Sequence, residues 1–131
     1  KINFPMPPLL IFMEDLINKK TVSHEEMVKL DEGEIKDYLL QLKDWEFLSA
    51  QNFLNGEADK IKKLFKFKDF KEAMEFVNEI AAVAESLENH HHPDIAIYYN
   101  KVEITLWSHF IKGLSINDFI LAAKIDQIHN L

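Results

Sequence analysis

Apolar residues recur along this chain with two different periods, and the switches between them mark its elements. From Phe70 to Leu87 they fall at steps of three or four: Phe70, Met74, Val77, Ala81, Ala84 and Leu87. Lys71, Glu72, Glu75, Asn78 and Glu79 lie off that stripe. The spacing predicts an amphipathic helix with one face in a core, and places the aromatic and Met positions inside it. Asp69 stands where an N-cap belongs, with Glu72 three residues on. Pro93 disfavours helical geometry at the residue before it, so the helix should end near Asn89.

Beyond Pro93 the period drops to two. Ile95, Ile97 and Tyr99 alternate with Ala96 and Tyr98; Val102, Ile104 and Leu106 alternate with Glu103, Thr105 and Trp107. With Asn100-Lys101 as the turn, this is a hairpin with one apolar face. Counting outward from the turn sets Asp94 roughly opposite Ser108. An earlier hairpin opens at Trp45-Glu46-Phe47-Leu48 and turns at Asn55-Gly56. It returns with Ile61, Phe65 and Phe67 on one face and several lysines opposite.

Three further segments complete the pattern. Ser23-His24-Glu25-Glu26 has the form of a capping box and should open a first helix. Asp31-Glu32-Gly33 interrupts that helix, and Ile35, Tyr38, Leu39 and Leu42 carry it on to about Lys43. Ser115-Ile116-Asn117-Asp118 caps a last helix, about Ile116 to Ile128. It bears two apolar stripes, one of Ile116, Phe119, Ile120 and Ala123, the other of Leu121, Ile125 and Ile128. Two stripes call for two partners, the sheet and another subunit. Residues 1–20, with Pro5, Pro7 and Pro8, read as an extended arm over a hydrophobic surface, leaving 21–131 as a single domain. Helix, hairpin, helix, hairpin, helix predicts an α+β fold, α-β-β-α-β-β-α: a four-stranded antiparallel sheet with three helices on one face.

Composition narrows the function. The chain has 131 residues, 47% of them hydrophobic and 28% charged, as in one ordinary globular domain. Its net charge of −7 argues against broad phosphate binding and hence against a nucleic-acid partner. The basic run Lys60, Lys62, Lys63, Lys66 and Lys68 reads as a solvated strand face. The absence of Cys excludes disulfides, thiolate nucleophiles and cysteine metal sites, and fits a reducing, cytoplasmic setting. The apolar run Leu9 to Met13 is too short to span a bilayer. Lys1 in place of an initiating Met suggests a segment removed by processing, a targeting segment among the candidates. No glycine-rich phosphate loop and no Gly-x-Ser-x-Gly elbow is present.

The chemistry gathers at Asn89-His90-His91-His92-Pro93-Asp94, with His109 after the last strand. Imidazole is the side chain best suited to moving protons near neutral pH. Neighbours in extended chain face opposite sides, so at most two of the three consecutive histidines enter one site. The strand count brings His91 or His92 near His109. One reading is a pocket of two or three imidazoles that exchanges protons with a neutral organic substrate. Another is a polar helix-end turn plus one strand histidine, and spacing alone does not choose between them. A third is zinc, disfavoured because consecutive ligands in one turn are awkward and no His-Glu-x-x-His frame exists; the expectation is no metal.

These residues, in this order, resemble the pterin-4a-carbinolamine dehydratases. The resemblance runs through Phe67-Lys68-Asp69-Phe70, Ala84-Glu85, His91-His92-Pro93-Asp94, Tyr99-Asn100-Lys101-Val102, Ile104-Thr105-Leu106, His109, Gly113-Leu114-Ser115 and Asp118. It covers about residues 21–131 and is densest from 84 to 126. It implies an enzyme that dehydrates 4a-hydroxytetrahydrobiopterin to quinonoid dihydrobiopterin, in tetrahydrobiopterin recycling, with no metal or bound cofactor. It implies His91 and His109 as the acid/base pair, with His92 holding the pterin or assisting. Glu88, Asp94, Trp107 and Ser108 would bind substrate, and Glu85 or Glu88 would orient a histidine. It also implies a homodimer or homotetramer packed through the C-terminal helix and sheet edges. Some animal relatives serve as dimerisation cofactors of a transcription factor, which makes a non-enzymatic interaction protein the alternative.

Two features depart from the family pattern. The stretch Glu85 to Pro93 is about two residues longer, so that Asn89-His90 reads as an insertion. Pro93 anchors His91-His92 as the family pair, with His90-His91 the alternative. An aromatic residue often found two positions after His-His-Pro is replaced here, where Ile95 and Ala96 follow Asp94.

Overall fold

The computed structural model describes residues 16–52 and 58–130. Its elements in chain order are α1 (Glu32–Leu39), β1 (Glu46–Leu48), β2 (Lys60–Lys66), α2 (Phe70–Ser86), β3 (Asp94–Tyr98), β4 (Lys101–Leu106) and α3 (Ile116–His129). Short 3₁₀ turns occupy His24–Glu26 and His109–Ile111. The strands form one antiparallel sheet in the order β1-β2-β4-β3. This is the α+β arrangement expected from the alternating periods.

The core lies between this sheet and the helices. Val102, Ile104 and Leu106 of β4 are fully buried, as are Ile61 of β2 and Phe119, Ile120 and Leu121 of α3. Phe65 of β2 and Phe67 just beyond it meet Phe76 of α2, with ring centroids 4.9 Å apart in both pairs. Removing such area from water is the main stabilising term, about 25 cal/mol per Å² of apolar surface.

The helical stripe of α2 differs from the expected one. Its buried residues are Ala73, Phe76, Ile80 and Ala84, whereas Phe70 is 50% exposed and Ala81 is exposed. Both stripes are apolar and both have helical spacing, so periodicity cannot choose between them. The aromatic face of β2 selects the one that carries Phe76.

The start of the chain is also rearranged. Ser23 opens only the 3₁₀ turn and makes no side-chain cap. Asp31, expected as an interruption, is the true N-cap: it accepts from the Glu34 amide at 2.8 Å, while Glu34 accepts from the Asp31 amide at 3.0 Å. Helix α1 then ends at Leu39, short of Lys43. Of the expected arm, residues 1–15 lie outside the described residues, as does the Asn55-Gly56 turn. Residues 16–18 form a helical turn rather than extended chain, and Leu16 is fully buried in the core.

The β3–β4 turn sits one residue earlier than expected, at residues 99–100, with Tyr99 at φ 53°. Asp94 therefore faces Thr105, not Ser108. Both apolar stripes of α3 are covered by the same chain: Phe119, Ile120 and Ala123 of one and Leu121 and Ile125 of the other are fully buried, and Tyr38 stacks on Phe119 at 5.0 Å. The second stripe thus does not require another subunit. Among the described residues no helix is long and apolar enough to cross a membrane.

Candidate active site

Two polar clamps fix the segment that carries the histidines. Thr21 exchanges three hydrogen bonds with Asn89, of 2.8 to 3.0 Å. The Val22 amide donates to Asn117 Oδ1 at 2.8 Å, and Asn117 Nδ2 donates back to the Val22 carbonyl at 3.0 Å. The end of α2, the start of α3 and the chain before α1 are thereby tied together around residues 89–93. Asn89, the first residue of the expected insertion, serves as an anchor.

His91 turns inward. It is 8% exposed, and its Nε2 lies 2.6 Å from Oδ1 of the fully buried Asp118. Asp118 is the third residue of α3 and closes the capping box on Ser115. Its second oxygen accepts from the Ser115 amide at 2.9 Å and from the Ser108 hydroxyl at 2.8 Å. The Ser108 and Ser115 hydroxyls are 2.7 Å apart. A carboxylate saturated by donors in this way keeps its orientation, and it fixes the N–H of His91 on Nε2, leaving Nδ1 as the basic ring nitrogen.

His92 turns outward and is hydrogen-bonded through Nε2 to Glu85. That bond holds the Glu85 carboxyl below the usual carboxylate range; the charges of His90 and His92 act in the same direction, and desolvation opposes them. His109 does not sit on β4. It begins the 3₁₀ turn that follows, is exposed, and stacks on Trp107 with centroids 3.8 Å apart. Trp107 in turn donates from Nε1 to Asp94 at 3.0 Å and lies under the Lys60 ammonium at 4.7 Å.

The loop that presents His109 is closed by a bridge between Ser108 and Gly113, with the Ser108 amide donating to the Gly113 carbonyl at 2.7 Å. A Cβ on Gly113 would meet the Lys29 side chain at 3.0 Å, so this residue permits the close approach of the segment before α1.

His91, His92, His109, Asp94, Trp107 and Ser108 line one open cleft of about 550 Å³, together with His24, Met27, His90, Pro93 and Phe110. That volume suits a bicyclic heterocycle. The structure therefore brings together all the catalytic and substrate-binding candidates but one: Glu88 lines a neighbouring cleft of about 430 Å³ beside His90 and Asn89. His91 and His109 reach one cleft through the loop after β4 rather than across a strand pair.

Residues 28–128 match the family model for pterin 4 alpha carbinolamine dehydratase. The chain belongs to that family. A Nitrosococcus oceani protein with a provisional pterin-4-alpha-carbinolamine dehydratase name is 41% identical over 117 residues, covering 88% of this chain and 97% of its own. A Sulfolobus acidocaldarius protein with the same provisional name is 42% identical over 101 residues, covering 77% of this chain and 99% of its own. Among solved structures, that of a transcriptional coactivator/pterin dehydratase from Brucella melitensis is similar at a TM-score of 0.66 and 33% identity. It covers 77% of this chain and 98% of that one.

Sequence reasoning saw Asp118 as a cap and missed its contact with His91. The signal was present, because a capping Asp at the third helical position has a second oxygen to offer. Its partner, however, lies 27 residues away. His24 and Phe110, which stack at 4.5 Å on the cleft rim, carried no signal beyond their residue types.

Proposed function

We propose that this member of the pterin dehydratase family removes water from 4a-hydroxytetrahydrobiopterin to give quinonoid dihydrobiopterin, without metal or cofactor, as a step of tetrahydrobiopterin recycling. The observation that carries this reading is His91, buried and backed by Asp118, sharing a cleft with His109 on the Trp107 ring. The reaction needs two proton movements. One group takes the N5 proton as the C4a–N5 double bond forms, and another protonates the C4a hydroxyl so that it leaves as water. His91, with Nδ1 basic, is assigned the first, and His109 the second. His92 helps hold the pterin, and the Trp107–Asp94 pair forms the wall on which the ring lies.

The separation of the two imidazoles in burial supports the division of labour. A buried histidine backed by a carboxylate is held in one orientation and tautomer, while an exposed one is open to water. Such groups typically contribute about 100- to 10,000-fold each in rate. His91→Ala and His109→Ala, assayed separately on synthetic carbinolamine with the spontaneous reaction subtracted, should each lose about 100-fold or more. Near wild-type turnover in both would overturn the mechanism.

Self-association is proposed through the sheet edge at β3, where Ile97 is 38% and Tyr98 58% exposed. Sedimentation of wild type against Ile97→Lys tests it: the variant should be smaller, and identical sizes would refute this edge as the contact.

A further inference from the structure

The three consecutive histidines split into two sets. His91 is committed to Asp118 inside the protein. His90 and His92 both face outward, with ring centroids 6.1 Å apart, as alternate residues of an extended stretch do. Both approach Glu85, the penultimate residue of α2. His90 Nδ1 is 3.9 Å from one carboxylate oxygen, and His92 Nε2 is bonded to the other. One nitrogen from each ring and one oxygen of Glu85 all lie within 4.8 Å of one another.

We propose that Glu85, His90 and His92 form a binding site for a late first-row divalent cation, zinc being the best fit, and that the ion withdraws His92 from the pterin cleft. Two imidazoles and one carboxylate make the ligand set of open zinc sites, in which water takes the fourth position. Mixed nitrogen and oxygen donors favour zinc and its neighbours over magnesium or calcium, which prefer oxygen throughout. Tetrahedral ligands about 2.0–2.2 Å from zinc stand about 3.3–3.5 Å apart, so His90 must close on Glu85 from 3.9 Å while the hydrogen-bonded His92–Glu85 pair opens to admit the ion. Their side chains are 54%, 61% and 62% exposed and can make that adjustment by rotation. In the metal-free protein a hydrogen bond joins His92 to Glu85, and the ion takes the place of its proton. Consecutive ligands in one turn are indeed awkward; alternate ligands in an extended stretch, reaching back to a helix end, are not.

The site depends on His90, in the stretch that reads as an insertion against the family pattern, so the control is assigned to this chain rather than to the reaction. Untagged, chelator-treated full chain should bind zinc at one equivalent in calorimetry and show cobalt absorption in the visible, with no response to magnesium. Loss of a direct ligand costs at least as much as loss of an outer partner, about 10- to 100-fold in affinity. His90→Ala and Glu85→Ala should each weaken zinc binding by that factor, while His24→Ala, a cleft histidine outside the cluster, binds as wild type does. Absence of saturable binding, or unchanged affinity in both cluster variants, would overturn the site. The inhibitory arm rests on the proposed dehydration: zinc should slow wild type relative to its own metal-free rate more than it slows His90→Ala. Zinc bound at the cluster with turnover unaffected would refute the withdrawal of His92. Metal-free wild type without turnover would instead defeat the dehydratase reading, and the binding measurement would still stand.

Discussion

Helix α3 buries two carboxylates, Asp118 in its first turn and Asp126 about two turns further on, and the two are used in opposite ways. Asp118 is fully buried and Asp126 is 4% exposed. Each is bonded through both oxygens, as burial demands. Asp118 meets neutral donors, the Ser115 amide and the Ser108 hydroxyl, and one titratable ring that opens onto a cleft. Asp126 meets the Lys63 ammonium at 2.8 Å and the Trp45 indole N–H at 3.0 Å. It too borders a cleft, of about 530 Å³. Burial and cavity size therefore do not distinguish the two ends of the helix. The partner does: an imidazole lets the first carboxylate influence proton transfer, whereas an ion pair and an indole lock the second into the packing of β1 and β2.

The strongest way to break this contrast is to remove Asp126. Asp126→Ala leaves the Lys63 side chain, 14% exposed, without its counter-charge, and Trp45 Nε1 without an acceptor. Deleting one partner of a buried pair costs about 3–5 kcal/mol. Thermal unfolding should move down by about 10–20 °C for a domain of this size. Replacing both partners, as in Lys63→Met with Asp126→Leu, should recover much of the loss, because the penalty lies in the unpaired charge. A double variant no more stable than Asp126→Ala would show that the pair is worth more than its apolar replacement.

Asp118→Asn tests the other end. The amide cannot accept from Ser108, Ser115 and His91 together, so the expected stability loss is about 1–3 kcal/mol, smaller than for Asp126→Ala. Its distinguishing effect is on turnover. Asp118 is a positioning residue, and outer partners of this kind typically carry about 10- to 100-fold. The loss should fall on kcat with KM nearly unchanged, since the cleft walls remain. A variant that loses KM instead would make Asp118 a support of the binding surface.

How far the sequence could be read follows the same division. The local features were legible: the Ser115 cap, the α2 cap at Asp69, the alternation in β4, and the rule that neighbouring histidines part company. Features decided by a distant partner were not. The buried stripe on α2 is one of them, because two apolar stripes share one spacing and only the rings of Phe65 and Phe67 choose between them. The β3–β4 register was displaced because Tyr99 adopts the left-handed conformation, uncommon for a residue with a Cβ. Lys63 shares its side of β2 with Ile61 and Phe65, where periodicity expects an apolar residue, and only Asp126 explains it. The His91–Asp118 contact belongs to the same class.

The sharpest and smallest test concerns pH. Burial pushes the Asp126 carboxyl above its ordinary range, against Lys63 and Trp45, which pull it down. A carboxyl raised on folding favours the folded state while protonated. Its contribution is full below the unfolded value and is lost as pH rises through the folded one. Glu85 is lowered, so its contribution has the opposite sign: present above the unfolded value and lost as pH falls through the folded one. Asp126→Asn should therefore flatten a fall in stability with rising pH, seen as a changed slope of Tm against pH rather than a uniform offset. Glu85→Gln should leave Tm within error of wild type at every pH, because its partners His90 and His92 are exposed and water and salt screen the pairing. If Glu85→Gln altered the slope as much as Asp126→Asn, pairing alone would govern the pH response; if only Asp126→Asn does so, burial governs it, and the contrast between the carboxylates extends from function to stability.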